Sequence, residues 1–347
     1  MSTLISTPKT APQSSLQDQL LELIFSVAKT HVIYCAATLG IADLIDSTAK
    51  SVEDLAQATD THTPSLYRIM RTLAGMGIFT ETTPGSFAHT PLSESLRKDS
   101  PGSLHGMALM MGTEWHSRSW ENLMYSVRTG KTAFDYTYGE PFFDYMQKNQ
   151  DAGKIFYGAM TSISHYQAEM ISSTYDFSSF HTVADIGAGH GFLLLSVLQK
   201  YPQLQGILYD LPPVAEIASS GIEAQGLSDR CQAIGGDFLE SVPAGADLYM
   251  MKYIIHDWDN ERAARILQNC RQMMPENGKL LIIDVVLPQG NTPHPGKYVD
   301  IEMLVMTEGG RERTETEFYD LLEQTGFRLN RVIPTDTYIS LIEGVPV

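Results

Sequence analysis

Apolar residues recur along the first half of the chain at helical spacing. Leu20, Leu23, Ile24, Val27 and Ala28 share one face, and the stripe continues through Val32, Ile33, Ala36 and Leu39 with few charges. The spacing predicts a helix over 16–39, too apolar for a simple surface helix and suited to pairing with a second copy. Farther on, Ser51-Val52-Glu53-Asp54-Leu55 and Thr63-Pro64-Ser65-Leu66-Tyr67 each set a hydroxyl residue before a helical run, with Pro64 in a first turn that needs no amide donor. The second run carries Leu66, Ile69, Met70, Leu73 and Met76 on one stripe, then meets Gly77 and the β-like Ile78-Phe79-Thr80-Glu81. Helix, helix and short hairpin predict a winged-helix-like unit inside an α-rich domain over 16–175. Residues 1–15, rich in Ser, Thr, Pro and Gln, read as a disordered lead-in.

After Phe177 the period changes. Val183–Ile186, Gly206–Tyr209, Gln232–Ile234, Leu248–Met251 and Lys279–Val285 are short apolar runs, with helical patterns such as Phe192–Lys200 and Glu261–Met274 between them. Strands alternating with helices imply βαβ units and a mostly parallel sheet, an α/β domain over 176–347. The runs Phe327–Ile333 and Tyr338–Glu343 are close enough in sequence to pair antiparallel on its edge.

Composition narrows the function. A formal net charge of −17 repels phosphate backbones and anionic lipid, which argues against nucleic acid and membrane partners. The second helix of the winged unit offers only Arg68 and Arg71 as cations, so a structural or dimerising role is expected in place of DNA binding. No stretch reaches about 18 consecutive apolar residues, the length a membrane span needs. Cys35, Cys231 and Cys270 are far apart and form no zinc-spaced cluster, as expected of reduced thiols in a cytoplasmic protein.

The turn after the first of these strands reads Asp185-Ile186-Gly187-Ala188-Gly189-His190-Gly191-Phe192. Its glycines fall at G-x-G-x-G, one place short of the dinucleotide fingerprint, so a nucleoside with an amino-acid tail fits better than a pyrophosphate. Asp210, at the end of the next strand, can accept both hydroxyls of a ribose. Asp237 can accept from an adenine amino group, with the ring of Phe238 beside the base. Either Asp could instead cap its own turn, since Asp bonds readily to nearby backbone. His256, just past the fourth strand in Lys252-Tyr253-Ile254-Ile255-His256-Asp257-Trp258, stands on the same sheet edge and can take a proton from a hydroxyl.

Asp185 to Gly191, Tyr209-Asp210-Leu211-Pro212, Gly235-Gly236-Asp237-Phe238, Met251-Lys252, His256-Asp257-Trp258 and Gly309-Gly310-Arg311-Glu312-Arg313-Thr314 occur in one order. In this the chain resembles the S-adenosylmethionine (SAM)-dependent O-methyltransferases. That family includes plant caffeic acid and flavonoid enzymes, acetylserotonin methyltransferase and bacterial natural-product tailoring enzymes. The resemblance implies a Rossmann-like methyltransferase domain behind a dimerisation domain, and a homodimer. It implies His256 as catalytic base and Glu312 as the carboxylate orienting it. Asp284 falls where plant members carry a Glu, one methylene longer, which leaves its reach to the ring open. Asp185, Gly187, Gly189, Gly191, Asp210, Leu211, Asp237, Phe238, Lys252 and Trp258 are implied SAM contacts. Phe156, Met160, Met303 and Thr307 are implied acceptor-lining positions, and Met110, Trp115 and His116 could join them; Met and aromatic residues at helical spacing fit a plain core equally well.

The reading is methyl transfer from SAM to a hydroxyl of a small, aromatic, expectedly phenolic acceptor, with no metal required. Two rivals remain: SAM-dependent chemistry on the same scaffold without methylation or on nitrogen, and a ligand-sensing winged-helix regulator.

Overall fold

A computed structural model describes residues 15–347, so the expected lead-in lies outside the described residues except for Ser15. The chain forms two compact units, one ending at Ser93 and one beginning at Glu94.

In the first unit, Ser15 caps helix α1 (Leu16–Ile24), its Oγ accepting from the Asp18 amide at 3.0 Å. Helix α2 (Ser26–Thr38) follows, bent 42° from α1. The single helix expected over 16–39 is therefore two: Phe25 takes φ −75°, ψ 0°, outside helical geometry, and breaks the run. No described helix is by itself long and apolar enough to cross a membrane; α1 and α2 reach that length and apolarity only as the bent pair. Helices α3 (Ile41–Leu44), α4 (Val52–Thr59) and α5 (Thr63–Gly75) accompany a three-stranded antiparallel sheet of β1 (Lys50–Ser51), which lies between α3 and α4, and of β2 (Phe79–Thr83) and β3 (Ser86–His89), in the order β1-β3-β2. Leu55, Leu66, Met70, Leu73, Phe79 and Phe87 are buried, so the winged-helix arrangement has its own small core.

The second unit is built on a seven-stranded sheet of β4 (Thr182–Ile186), β5 (Gln205–Asp210), β6 (Cys231–Gly235), β7 (Leu248–Lys252), β8 (Lys279–Asp284), β11 (Phe327–Pro334) and β12 (Ser340–Pro346). Two-residue strands β9 (Val286–Leu287) and β10 (Arg313–Thr314) pair separately. The sheet order is β11-β12-β8-β7-β4-β5-β6, parallel from β8 to β6 and antiparallel at β12 and β11. Strands such as β7, with Leu248 to Met251 all buried, are apolar throughout because helices cover both faces. One face packs with the helix Phe192–Lys200, the other with Asn260–Met273 and Glu315–Gln324.

The period of apolar residues divides the chain at 175/176, but packing divides it at 93/94. Ala168 and Ile171, on the helix Gln150–Thr174, share a core with Val183, Leu194 and Leu208 of the sheet unit. Helical spacing shows that a face is apolar without showing what covers it. Because β4 to β8 run parallel, Ile186, Asp210, Gly235, Lys252 and Asp284 all end strands on one edge, where open α/β sheets bind ligands.

Candidate active site

The chain leaves β4 through three left-handed glycines, Gly187, Gly189 and Gly191, with φ of 70°, 58° and 78°. A Cβ on Gly187 would lie 2.3 Å from Ile254 Cδ1, and one on Gly191 would lie 2.2 Å from Leu208 Cδ1, so side chains are excluded by both backbone and space. The Gly189 amide donates to Asp210 Oδ2 at 2.7 Å, and the Leu211 amide donates to Oδ1 at 2.7 Å. Burial raises the Asp210 carboxyl, while these two backbone donors hold it down. The local capping foreseen for Asp210 is thus present, and it aims the carboxylate at the glycine turn. Asp237 likewise accepts from the Leu239 amide at 2.8 Å. Phe238 meets the Trp258 ring edge-on at 5.9 Å, and Trp258 stacks at 6.3 Å on Phe143. The Trp258 indole N–H is buried with no partner among the described residues.

Asp185, one residue from the end of β4, is buried, and Lys252, the last residue of the adjacent β7, is half-buried. Burial pushes Asp185 up to about 7, with Lys252 pulling against it. Burial pushes Lys252 down to about 8, against the pull of Asp185 and Asp284. A backbone that approaches closely, a held carboxylate and a half-buried lysine together suit a nucleoside carrying a charged tail.

His256 sits in a 3-10 turn, Ile255–Asp257, and is 6% exposed. Its Nδ1 lies 2.7 Å from Glu312 Oε1 and 3.4 Å from Asp284 Oδ1, so Asp284 reaches the ring despite its shorter side chain. Asp284 also accepts from the His256 backbone amide at 3.3 Å. With carboxylates at Nδ1, that nitrogen carries the proton, which leaves Nε2 as the working atom. Nε2 makes no hydrogen bond among the described residues; its nearest acid, Asp257 Oδ1, is 3.8 Å away. Burial opposes charge on the imidazole, but Asp284, Glu312 and Asp257 together outweigh it and hold the ring up at about 10. Burial pushes Asp257 up to about 7 and raises Asp284 and Glu312. His256, Asp284 and Glu312 are also the one trio among the described residues whose donor atoms converge closely enough to hold a cation.

The Gly-Gly-Arg-Glu-Arg-Thr run explains this placement. A Cβ on Gly310 would lie 2.9 Å from the His256 carbonyl oxygen and 1.9 Å from Thr307 Oγ1, so only glycine lets the chain pass beneath the turn. The Arg311 amide then donates to the His256 carbonyl at 2.7 Å. Arg313, 1% exposed, donates to the carbonyls of Ile255 at 2.8 Å and Trp258 at 2.9 Å. Glu312, between these two straps, has its backbone amide held by Asp300 at 2.9 Å.

Phe156 and Met160, on the helix Gln150–Thr174, border a core of Met110, Trp115, Phe134, Phe142 and Met306. Phe156 meets Phe142 edge-on at 5.0 Å, and Trp115 lies 6.0 Å from Phe142. Rings therefore run from Trp115 through Phe142 and Phe143 to Trp258 and Phe238. Met303 and Thr307 are buried on and after the helix Gly296–Met306, where the Thr307 hydroxyl donates to the Met303 carbonyl at 3.2 Å. His116 and Trp120 converge on Glu302 of the same helix, at 3.0 and 2.7 Å. Arg313 stands inside a motif that carries the resemblance, so its repeated arginine was a signal. Tyr253, which stacks on His256, and Asp300 have no signal of their own in one sequence.

A profile of the O-methyltransferase domain matches residues 120–328, and one of the O-methyltransferase dimerisation domain matches residues 21–99. A phenazine O-methyltransferase of Lysobacter antibioticus is 43% identical over 336 residues, 97% of each chain. An 8-amino-8-demethylriboflavin N,N-dimethyltransferase of Streptomyces davaonensis is 32% identical over 340 residues, 97% of each chain. Among solved structures, a methyltransferase of calicheamicin biosynthesis in its S-adenosylhomocysteine-bound form superposes with a TM-score of 0.85 at 33% identity. It covers 96% of this chain and 100% of its own.

Proposed function

The chain belongs to the O-methyltransferase family along nearly its whole length, and from that premise we propose that His256 is the general base for methyl transfer to an aromatic hydroxyl. The observation that carries this is the buried Nδ1···Glu312 contact of 2.7 Å beside an Nε2 without a hydrogen bond. The methyl donor is SAM, which supplies an electrophilic methyl group when bound. Gly187, Gly189 and Gly191 give the close backbone approach for it, with Asp185, Asp210, Leu211, Asp237, Phe238, Lys252 and Trp258 around them. The chain works as a homodimer through its dimerisation domain.

The acceptor is a planar aromatic hydroxyl compound, of the kind for which several relatives are named, bordered by Phe156, Met160, Met303 and Thr307. His256 Nε2 takes the hydroxyl proton, and Glu312, with Asp284 behind it, holds the ring and offsets its charge. That local cationic imidazolium makes a metal unnecessary, so chelation with EDTA leaves turnover unchanged. Free cysteines and the lack of a membrane-length single helix among the described residues support a cytoplasmic location.

The test is mass spectrometry of products from SAM and a panel of phenols and anilines, with His256→Ala as the reference. A phenol is methylated by the wild type, and His256→Ala loses roughly 10²- to 10⁴-fold in turnover while binding SAM as tightly. A variant with full turnover at neutral pH overturns the base. The N-methylating relative supplies a second reading, and it prevails if anilines alone are methylated and His256→Ala leaves their rate unchanged.

A further inference from the structure

We propose that Tyr253 is the positioning residue that holds the His256 imidazole in its working plane, and that it does so through the face of its ring. This rests on the reading of His256 as base.

Tyr253 has φ +56°, a conformation that a bulky aromatic residue rarely adopts. Among the described residues the other non-glycine case is Asp60, the C-cap of α4, where Asp is at home. Such a conformation persists only where the surroundings over-determine it, and here they do. The Tyr253 amide donates to the Ile283 carbonyl at 3.1 Å. Its hydroxyl accepts from Gln167 Nε2 at 2.9 Å and donates to Tyr338 Oη at 3.1 Å. Gln167 is fully buried on the helix Gln150–Thr174, and Tyr338 precedes β12, so two separate elements anchor the ring. Lys252 Nζ lies 4.1 Å from the ring centroid.

What the anchored ring touches next is His256. The two rings stack with centroids 5.3 Å apart and planes 19° apart. The hydrogen bond from Nδ1 to Glu312 fixes one point on the imidazole and leaves the ring free to swing about that bond. A flat surface on its face removes the swing, and with it the wandering of Nε2. Productive geometry tolerates little misplacement, because a shift of about 1 Å can cost on the order of 10²-fold in rate. The left-handed turn at Tyr253 brings residues three apart in sequence face to face just after β7 ends.

Three variants of the full-length dimer test this. Tyr253→Asn accepts the same backbone and lacks the ring; Tyr253→Phe keeps the ring and lacks the hydroxyl; His256→Ala is the reference. Each is checked for folding by calorimetric affinity for S-adenosylhomocysteine. Each is then assayed with SAM and the phenol best turned over by the wild type, and its downfield proton NMR spectrum is recorded for the His256 Nδ1–H signal. Tyr253→Asn lowers kcat at least tenfold, leaves KM for SAM within threefold, and broadens the Nδ1–H signal away by exchange. Tyr253→Phe rescues the signal and brings kcat back to within threefold of the wild type. A folded Tyr253→Asn that keeps the signal and kcat within twofold overturns the proposal. So does a folded Tyr253→Phe that loses both, which is decisive even if Tyr253→Asn does not fold. If His256→Ala keeps full turnover, the base reading fails by itself, while the NMR signal still reports on Tyr253.

Discussion

His256 stands among three carboxyl groups, and on the reading of His256 as base these set the pH at which it acts. Without neighbours a histidine titrates near 6.5. Burial lowers that value, and the pull of Asp284, Glu312 and Asp257 more than reverses it, to about 10. A base must be neutral to accept a proton, so turnover rises with pH through the pKa of the ring. A bound cationic donor disfavours the imidazolium, so the inflection in kcat, which reports the liganded enzyme, lies below that in kcat/KM for SAM, which reports the free enzyme. Stopped assays from pH 6 to 10 check this order, and two inflections at or below 6.5 contradict it. Glu312→Gln keeps a hydrogen-bonding group of similar shape but removes a charge. It lowers turnover less than His256→Ala does and moves the kcat/KM inflection downward.

At the scale of elements, the glycine turn and the edge strands make separate predictions. Gly191→Ala forces a left-handed φ of 78° on alanine and drives its Cβ toward Leu208. The backbone alone costs roughly 1–2 kcal/mol; thermal melting falls, and calorimetric SAM affinity falls with it. Glu343, buried on β12, accepts from Tyr175 at 2.6 Å, Lys279 at 3.1 Å and Arg331 Nε and Nη2 at 3.1 Å each. It thereby ties the end of the helix Gln150–Thr174 to β8 and β11. Burial raises its carboxyl, and the donors outweigh this and hold it at about 2. A lowered carboxyl pKa gives stability that is fully present above the ordinary value of about 4.3 and is lost as the pH falls through 2. Glu343→Gln therefore lowers stability by roughly 1.5–3 kcal/mol at pH 7. The gap from wild type closes in denaturant titrations carried toward pH 2.

For the whole molecule the telling feature is α1, none of whose residues is buried. Leu16, Leu20, Leu23 and Ile24 are 79%, 58%, 68% and 61% exposed in the single chain, and this apolar surface is expected to be covered by the second copy in the homodimer. Light scattering gives twice the chain mass of 38.5 kDa for the wild type. Leu20→Glu with Leu23→Glu shifts it toward the monomer, and an unchanged mass removes α1 from the interface.

The sequence by itself determined what local chemistry can specify. Glycines where φ is positive, apolar runs of strand length and a carboxylate at the end of β5 all act within a few residues, so their spacing carried the sheet, the glycine turn and Asp210. The motifs in their order also carried the family. Tertiary structure decided the rest, because contact between distant residues leaves no local trace. One such decision was that helices between 94 and 174, such as Gln150–Thr174, pack with the sheet. It also brought Asp284, 28 residues from His256, within 3.4 Å of the ring, where a one-methylene difference could be judged only against the actual gap. Tyr253 shows the limit most sharply: an ordinary tyrosine in the sequence, it takes a left-handed backbone and lays its ring against His256 only when β7, the helix Gln150–Thr174 and the approach to β12 close around it.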